Sequence, residues 1–388
     1  MKHIFIGLLI IVNLHAQRYE ALLADAIENS TALKILQNKE EEISLQGQID
    51  TRLENPNLEL EVADFSPNFL TQSNEVGLRV GISQSVLLPH IQREKQRITH
   101  QSINVAKKQY EVEKSMFVYN FNFYYLRYKE ARKKLELQDQ SMRLSAEILN
   151  VVEKRYQEGA VAKSDYLEAQ LAHKKAENSR QSLEVLAKQL KDELLLFGNL
   201  SQQTTVDTEH VFFPASKALE HPLIGLSQAQ KEVSSSKLKL LEHSVESVAF
   251  FSELEREPDQ DIFRVGVSID LPTFNIKAEE KQLEKIKIAN ETLKVESKKR
   301  RLSLNIEQLT QKNHQLEALT RSHESLTDSQ KELFEMYQKS YRIAKVNLLK
   351  LQKVKEQIVI NQEKILASNF AIEENNIKIN YLQGVYSE

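Results

Sequence analysis

The segment Leu78-Arg79-Val80-Gly81-Ile82-Ser83 occurs in two similar copies in the 388-residue chain. Phe263-Arg264-Val265-Gly266-Val267-Ser268 repeats it 185 positions later. In both copies apolar residues alternate with polar or small ones, which is the period of a β-strand with one apolar face. Each copy leads through a Leu-Pro step into a long stretch without Gly or Pro, which closes at Tyr156 in the first copy and at Tyr341 in the second. The chain therefore consists of two repeats of one structural unit.

The composition favours helices. Hydrophobic residues make up 41% and charged residues 28% of the chain, with only 9 Gly and 7 Pro. The formal net charge is -3, with Lys and Glu interleaved, so no broad basic face is available and we expect no nucleic-acid partner. The absence of Cys excludes disulfides, thiolate metal sites, a Cys nucleophile and a lipid-modified N-terminal Cys.

Residues 1–16 have the pattern of a secretory signal peptide. Lys2 and His3 precede the apolar run Ile4–Val12, and the small residue Ala16 suits the position before the cleavage site. The alternative is a buried N-terminal strand or helix. No later stretch reaches the roughly 18 consecutive apolar residues that a membrane helix needs. We therefore expect an exported chain without a helical anchor.

Two strand pairs are predicted, one within 57–88 and one within 250–272. A single helix over 18–53 precedes the first pair, and Asn55-Pro56 ends it because proline forces the preceding residue out of helical geometry. The apolar faces of the strands would cover a core in a soluble protein. In a membrane barrel they would face lipid, with the charged residues in a wet lumen. The periodicity is compatible with both.

A very long helix is predicted over 91–156, of roughly 100 Å at 1.5 Å per residue. Gly159 suits a tight turn, after which a return helix runs to Leu196. The second half repeats this arrangement over 275–341 and 348–382. Apolar residues at seven-residue spacing predict coiled-coil seams: Phe117, Tyr124 and Ala131, with Phe121, Tyr128, Leu135, Met142, Leu149 and Tyr156, in the first long helix, and Leu302, Leu309, Leu316, Leu319, Leu326 and Leu333 in the second.

The predicted organisation is a first repeat over 17–198, a linker over 199–219 and a second repeat over 220–388. Each repeat contains a helix, a strand pair and a long helical hairpin. Four amphipathic strands cannot close a barrel, which needs about eight or more. If the strands face lipid, closure requires other copies of the chain, and the long helices would continue the barrel as a tube. On this interpretation the assembled copies form a channel.

The sequence resembles the TolC-type outer membrane efflux protein family, the outer membrane factors of tripartite efflux systems. The resemblance covers the whole mature chain. It depends on Asn55-Pro56-Asn57-Leu58 before the first strand, Pro222-Leu223 at the second repeat, and Tyr156-x-x-Gly159 followed by Asp165-Tyr166-Leu167. Each motif is weak alone, and their combination is specific.

The resemblance implies a mainly α fold with a small β part, assembled as a homotrimer. Four strands per chain would form a twelve-stranded β-barrel in outer membrane lipid, continued by an α-helical tunnel through the periplasm. The strand residues would be Leu78, Val80 and Ile82 with Phe263, Val265 and Val267. The tunnel would meet a periplasmic adaptor protein and an inner membrane pump.

The resemblance also implies that the hairpin tips close the tunnel. Asp165 stands where the family places an aspartate able to accept a hydrogen bond from a tyrosine at the position of Tyr341, which would hold the tip shut. The alternative is that Asp165 caps the return helix. The second turn departs from the family pattern, with Ala344 in place of a turn glycine and Val346 in place of a locking arginine.

Lys350 and Lys353 stand where some of these channels carry aspartates that ring a cation-selective constriction. Three copies of these lysines would form a positive ring and favour anions or abolish selectivity. Alternatively, they lie on a solvated helix face or contact an adaptor.

The first long helix also carries an aromatic cluster between Phe117 and Tyr128. We interpret these residues as helix packing in preference to a surface that binds a ligand.

The sequence predicts no enzyme, cofactor or metal site. Its ten histidines are scattered, and no nucleophile, phosphate loop or acid pair is evident. The predicted function is a passive exit duct of an efflux or type I secretion system, in the bacterial outer membrane and extending into the periplasm. The alternatives are a periplasmic adaptor, which would have one hairpin and glycine-rich β domains, and a periplasmic coiled-coil scaffold without a channel.

Overall fold

A computed structural model describes residues 18–64, 76–217, 219–257, 259–271, 273, 276–343 and 345–387. The predicted signal peptide, residues 1–16, lies outside these ranges. The helices are α1 (Tyr19–Asn29), α2 (Thr31–Thr51), α3 (Pro89–Gln157), α4 (Lys163–Phe197), α5 (Pro222–Glu242), α6 (Ala278–Arg342) and α7 (Leu348–Leu382). The strands are β1 (Asn57–Asp64), β2 (Val76–Leu87), β3 (Ser247–Arg256) and β4 (Asp261–Ser268), and a 3-10 turn, Val385–Ser387, follows α7.

The four strands form one antiparallel sheet in the order β1-β2-β3-β4. Leu60 pairs with Val80, Val80 with Leu254, and Leu254 with Phe263, so this row of apolar residues crosses all four strands on one face. The duplicated strands β2 and β4 each pair with β3, which joins the two halves of the sequence in one sheet.

The chain divides into two compact units that do not coincide with the two sequence repeats. One unit contains the described residues up to Leu33, with 113–221 and 301–387; the other contains 34–112 and 222–300. Each unit therefore draws on both halves of the sequence. The first holds both hairpin turns and the linker, and the second holds the sheet.

The prediction of one helix over 18–53 is wrong, because the helix is broken at Ser30. The backbone of Ser30 is extended, with φ -71° and ψ 108°, and its N–H donates to the carbonyl of Ile27. Its hydroxyl accepts from the N–H of Leu33, so Ser30 caps the start of α2.

The predicted leucine seam of α6 is also wrong in part, because Leu319 and Leu326 are 52% and 47% exposed. The buried row in this part of α6 again has seven-residue spacing but is mostly polar: Asn313, Thr320, Thr327, Phe334 and Tyr341. The amide of Asn313 donates to the side chain of Asn376 on α7 over 2.8 Å. Asn313 therefore pairs with α7, and Leu319 and Leu326 lie one residue away from the buried row.

In α3 the aromatic residues between Phe117 and Tyr128 supply core packing, as predicted. Phe121 and Tyr125 are fully buried in a cluster that includes Leu22 of α1 and Leu194 of α4. Tyr125, which is not among the residues of the predicted seams, donates its hydroxyl to the carbonyl of Asp207 in the linker over 2.9 Å.

The linker is fastened to α3 and α7 by buried polar groups. The ammonium of Lys129 donates to the carbonyl of His210 over 2.7 Å and pairs with the carboxylate of Glu373 over 2.8 Å. Glu373 also accepts from the N–H of Phe212 over 3.3 Å. Because an unpaired buried charge is expensive, this pairing fixes the path of the linker.

Candidate functional site

The first hairpin turn, between α3 and α4, is a Schellman motif. The N–H of Ala160 donates to the carbonyl of Arg155 over 2.8 Å, and the N–H of Gly159 donates to the carbonyl of Tyr156 over 3.0 Å. Gly159 has φ +71°, a left-handed conformation that glycine adopts without steric cost. The ring of Tyr156 stacks on that of Tyr166 across the turn, with centroids 5.3 Å apart.

The second turn, between α6 and α7, repeats one hydrogen bond of the first turn, the one from Ala160 to Arg155. The N–H of Lys345 donates to the carbonyl of Ser340 over 2.9 Å, and these residues stand 185 positions after Ala160 and Arg155. Ala344 lies outside the described residues. The side chain of Asn347 caps α7 by accepting from the N–H of Lys350 over 3.1 Å, whereas Ala162 at the equivalent position of α4 has no capping side chain.

Arg155 joins the two turns through Tyr341. Its guanidinium carbon lies 4.6 Å from the centroid of the Tyr341 ring, and its Nη1 donates to the Tyr341 carbonyl over 2.6 Å. Tyr341 belongs to an apolar cluster with Val152 of α3 and Leu348 and Leu351 of α7. One residue near the end of α3 therefore holds the end of α6 by a cation–π contact and a charge-assisted hydrogen bond.

The expected hydrogen bond between Asp165 and Tyr341 is not formed. The hydroxyl of Tyr341 is buried and has no hydrogen-bond partner among the described residues. Burial raises the pKa of Tyr341; the positive charge of Arg155 opposes this rise and the charge of Asp165 adds to it. Arg155 occupies the ring face and the carbonyl of Tyr341, so the contact that joins the turns is made by arginine instead of aspartate.

The capping alternative for Asp165 is wrong as well. The N-cap of α4 is Ala162, and Asp165 is the third residue of the helix. Its carboxylate lies in the first turn, where a negative charge interacts favourably with the helix dipole. Asp165 therefore favours the start of α4 by electrostatics, without a capping hydrogen bond.

Lys350 and Lys353 are both exposed on α7. Lys355, two residues further on, is buried, and its ammonium donates to the hydroxyl of Ser145 on α3. Burial lowers the pKa of Lys355, and the neighbouring charge of Glu356 opposes this shift only in part. Lys355 was not predicted from the sequence, although a lysine in register with Leu348, Leu351 and Ile358 is a charge at a core position of the helix.

The sheet has two chemically different faces. One face exposes large apolar side chains, with Leu60 66% and Val265 69% accessible. It carries the strand residues predicted above: Leu78, Val80, Ile82, Phe263, Val265 and Val267, together with Leu58, Leu60, Val62 and Leu254. An exposed apolar surface that extends across all the strands is unusual for a soluble protein.

The other face of the sheet carries a ladder of charges. Glu253 on β3 accepts from Nη2 of Arg79 on β2 and from Nη1 of Arg264 on β4, both over 2.7 Å. Arg79 also contacts Glu61 on β1 over 3.3 Å. Charges on this face are therefore paired across all four strands. On the same face, Gly266 leaves room for the ring of Phe251, which an added Cβ would overlap.

Within the described ranges, no helix has the combination of length and apolar character required to span a membrane. In the same ranges, no group of three or more His, Asp or Glu side chains is arranged to hold a metal ion.

Comparison with solved structures identifies the fold. The outer membrane protein VceC from Vibrio cholerae is similar with a TM-score of 0.77 and 12% identity, over 94% of this chain and 95% of that chain. The CmeC outer membrane channel of Campylobacter jejuni gives 0.74 and 13%, over 94% and 85%. The chain has the fold of these outer membrane channels. The predicted mainly α fold with a small β part is thus confirmed.

The channel fold is reached with little sequence identity. CusC, whose structures concern folding and transmembrane channel formation, is similar with a TM-score of 0.75 and 15% identity, over 94% of this chain and 91% of that chain. The sequence matches no family model and no curated protein sequence. The similarity to these channels is therefore a similarity of fold.

Proposed function

We propose that this chain is the passive exit duct of a tripartite efflux or type I secretion system. It would form a homotrimer in the bacterial outer membrane and extend into the periplasm. A periplasmic adaptor and an inner membrane pump would deliver substrate to it and supply the energy. Neither an enzymatic reaction nor a bound cofactor is needed for this function.

The observation that carries the proposal is the two-faced sheet. Leu60, Val265 and their neighbours expose an apolar surface, while Arg79, Glu253 and Arg264 pair on the opposite face. A transmembrane barrel needs this alternation, with apolar residues toward lipid and charged residues toward water. In a soluble protein the same apolar surface would remain exposed to water at a large cost in free energy.

The open edges of the sheet support assembly from several copies. Each of the edge strands β1 and β4 has one neighbouring strand in the described sheet. Backbone N–H and C=O groups at such an edge must be paired inside a bilayer, which requires a closed barrel. Pairing β4 of one copy with β1 of the next would close twelve strands in a trimer.

The two hairpin turns would form the periplasmic entrance and its gate. In this proposal Tyr156, Gly159 and Asp165 lie at the first turn of the gate and Tyr341 at the second, and the contact that changes on opening is the one between Tyr341 and Arg155. The contact of Arg155 with Tyr341 supports a closed arrangement in which the ends of α3 and α6 are held together. Opening would break this contact.

The exposed lysines Lys350 and Lys353 would line the constriction in three copies. Their exposure supports this role, because neither ammonium is taken up in the core of its own chain. A positive ring would favour anions. An adaptor-binding role for the same lysines would leave ion selectivity unchanged when they are replaced.

The rival functions have less support. A periplasmic adaptor would have one helical hairpin, whereas α3–α4 and α6–α7 are two hairpins with the same spacing. A soluble scaffold would leave the apolar face of the sheet without an explanation. Reconstitution tests the proposal: purified protein should insert into a planar lipid bilayer and conduct ions. Protein that remains soluble without detergent and gives no conductance would refute it.

A further inference from the structure

The linker presents a rigid, exposed aromatic residue that the duct function does not use. Phe213 is 71% exposed, whereas the neighbouring Phe212 is buried against Tyr19 and Tyr125. An apolar side chain of this size in water is unfavourable. Its exposure leaves the ring available to a partner or a ligand.

The backbone on both sides of Phe213 is fixed by amides of α7. Asn376 donates to the carbonyl of Phe212, and Asn380 donates to the carbonyl of Phe213, each over 2.9 Å. The side-chain oxygen of Asn380 also accepts from the N–H of Ala215 over 2.8 Å. The ring is thus presented on a backbone that is held in place before any ligand arrives, which reduces the entropy lost on binding.

A groove of about 550 Å³ lies beside this ring. Its walls are formed by the linker and by the facing surfaces of α6 and α7. Several polar side chains line it, among them His314, Glu317, Asn369 and Gln383. A flat apolar ring beside amide and carboxylate groups can bind a sugar, because the C–H face of the sugar stacks on the ring and its hydroxyls take the hydrogen bonds.

One group in the groove lacks a hydrogen-bond partner. The amide oxygen of Gln383 is shielded from solvent and has no partner among the described residues. An unsatisfied buried acceptor is costly. A donor on a molecule in the groove, reached by a small rotation of the Gln383 side chain, would remove that cost.

We propose that this groove binds an N-acetylated hexosamine chain, the polysaccharide of the bacterial cell wall. Phe213 would stack on the sugar ring, and the amide oxygen of Gln383 would accept from the N–H of an acetamido group. The choice of polymer rests on the proposed function, because a duct that crosses the periplasm must pass through the cell wall. The bound glycan would fix the height of the duct relative to the wall.

The test is titration calorimetry of the full-length protein in detergent with the trisaccharide of β-1,4-linked N-acetylglucosamine. Wild-type protein should give saturable binding. Phe213→Ala and Gln383→Ala should each weaken it at least tenfold, and Phe213→Tyr should retain it. Leu196→Ala removes an equally exposed apolar side chain on α4 and should bind as the wild type does.

Absence of saturable binding to a folded wild type would overturn the inference. The inference would also be overturned if Phe213→Ala changed the mass of the oligomer without affecting sugar binding. In that case the ring would be a contact between copies of the chain. Bilayer conductance is measured on the same preparations. A conducting protein that binds no sugar contradicts only this inference, and a non-conducting protein that binds it contradicts only the duct.

Discussion

The guanidinium carbon of Arg155 lies 4.6 Å from the centroid of the Tyr341 ring, and the same side chain donates to the Tyr341 carbonyl over 2.6 Å. Arg155 lies in the last turn of α3 and Tyr341 in the last turn of α6, so one side chain connects the first hairpin turn to the second. This contact takes the place of the aspartate–tyrosine bond that the sequence predicted.

Replacing Arg155 by Ala should release the second turn. The substitution removes a cation–π contact and a charge-assisted hydrogen bond, together about 2 kcal/mol. We expect a larger single-channel conductance in a planar bilayer. Arg155→Lys is the matched control: it retains the charge but loses the planar stack, and should give an intermediate value. Conductance equal to that of the wild type in Arg155→Ala would contradict a gating role.

Tyr341→Phe and Asp165→Asn should both leave conductance unchanged. The hydroxyl of Tyr341 has no partner among the described residues, so its removal breaks no hydrogen bond and lowers stability by no more than about 0.5 kcal/mol. The ring remains to stack with Arg155. If either variant opened the channel as Arg155→Ala is expected to, an aspartate–tyrosine bond would have to form in the membrane-inserted trimer.

Lys355→Met should stabilise the protein, and the gain should depend on pH. Burial lowers the pKa of Lys355, so the folded state binds this proton less tightly than the unfolded state does. The free-energy cost of burying the charged ammonium is complete below the lowered pKa. It disappears as the pH rises toward the ordinary pKa of 10.5.

Thermal unfolding of both proteins at several pH values measures this effect. Each unit by which the pKa is lowered corresponds to about 1.4 kcal/mol. The Tm advantage of Lys355→Met over the wild type should shrink as the pH rises toward 10.5. Lys350→Met removes an exposed lysine from the same helix and should show no such trend. A Tm advantage that is constant with pH would refute the assignment.

Leu60→Lys should prevent assembly, whereas Glu59→Lys should be tolerated. Leu60 is 66% exposed on the apolar face of β1, and its neighbour Glu59 points to the charged face. A lysine in contact with lipid costs about 2–4 kcal/mol per copy at mid-depth of the membrane. Electrophoresis of unheated outer membrane fractions should show the oligomer only for Glu59→Lys. Equal assembly of both variants would argue against lipid contact.

Lys350→Asp combined with Lys353→Asp should move ion selectivity toward cations. Two charge reversals in each of three copies would change the sign of the field at the constriction. The reversal potential across a KCl gradient measures this. An unchanged reversal potential would remove the lysine ring and favour the solvated or adaptor-binding alternative.

Much of the fold could be predicted from the sequence, because periodicity and spacing are local properties that duplication makes visible. The repeated strands, the glycine turn at Gly159 and the hairpins α3–α4 and α6–α7 all follow from such patterns. The break at Ser30 was missed because Ser is tolerated within helices, and its role as a cap depends on the backbone it adopts.

The candidate site was harder to predict, because it depends on contacts between distant parts of the chain. Arg155 has no distinctive pattern in the sequence, and Asp165 fitted the expected role by position alone. The buried row of α6 was misassigned because most of its inward residues are polar, and Asn313 finds its partner Asn376 only in the folded chain. Hydrophobic periodicity identifies a helix face but does not show which other element packs against it.

We infer that the apolar face of the sheet meets lipid in a closed trimer. To test this, the chain is expressed with its N-terminal segment, inner and outer membranes are separated, and the mass of the unheated protein is determined. We expect a heat-sensitive trimer in the outer membrane fraction. A soluble periplasmic monomer would contradict it, and the strands would then form an ordinary sheet beside a coiled coil.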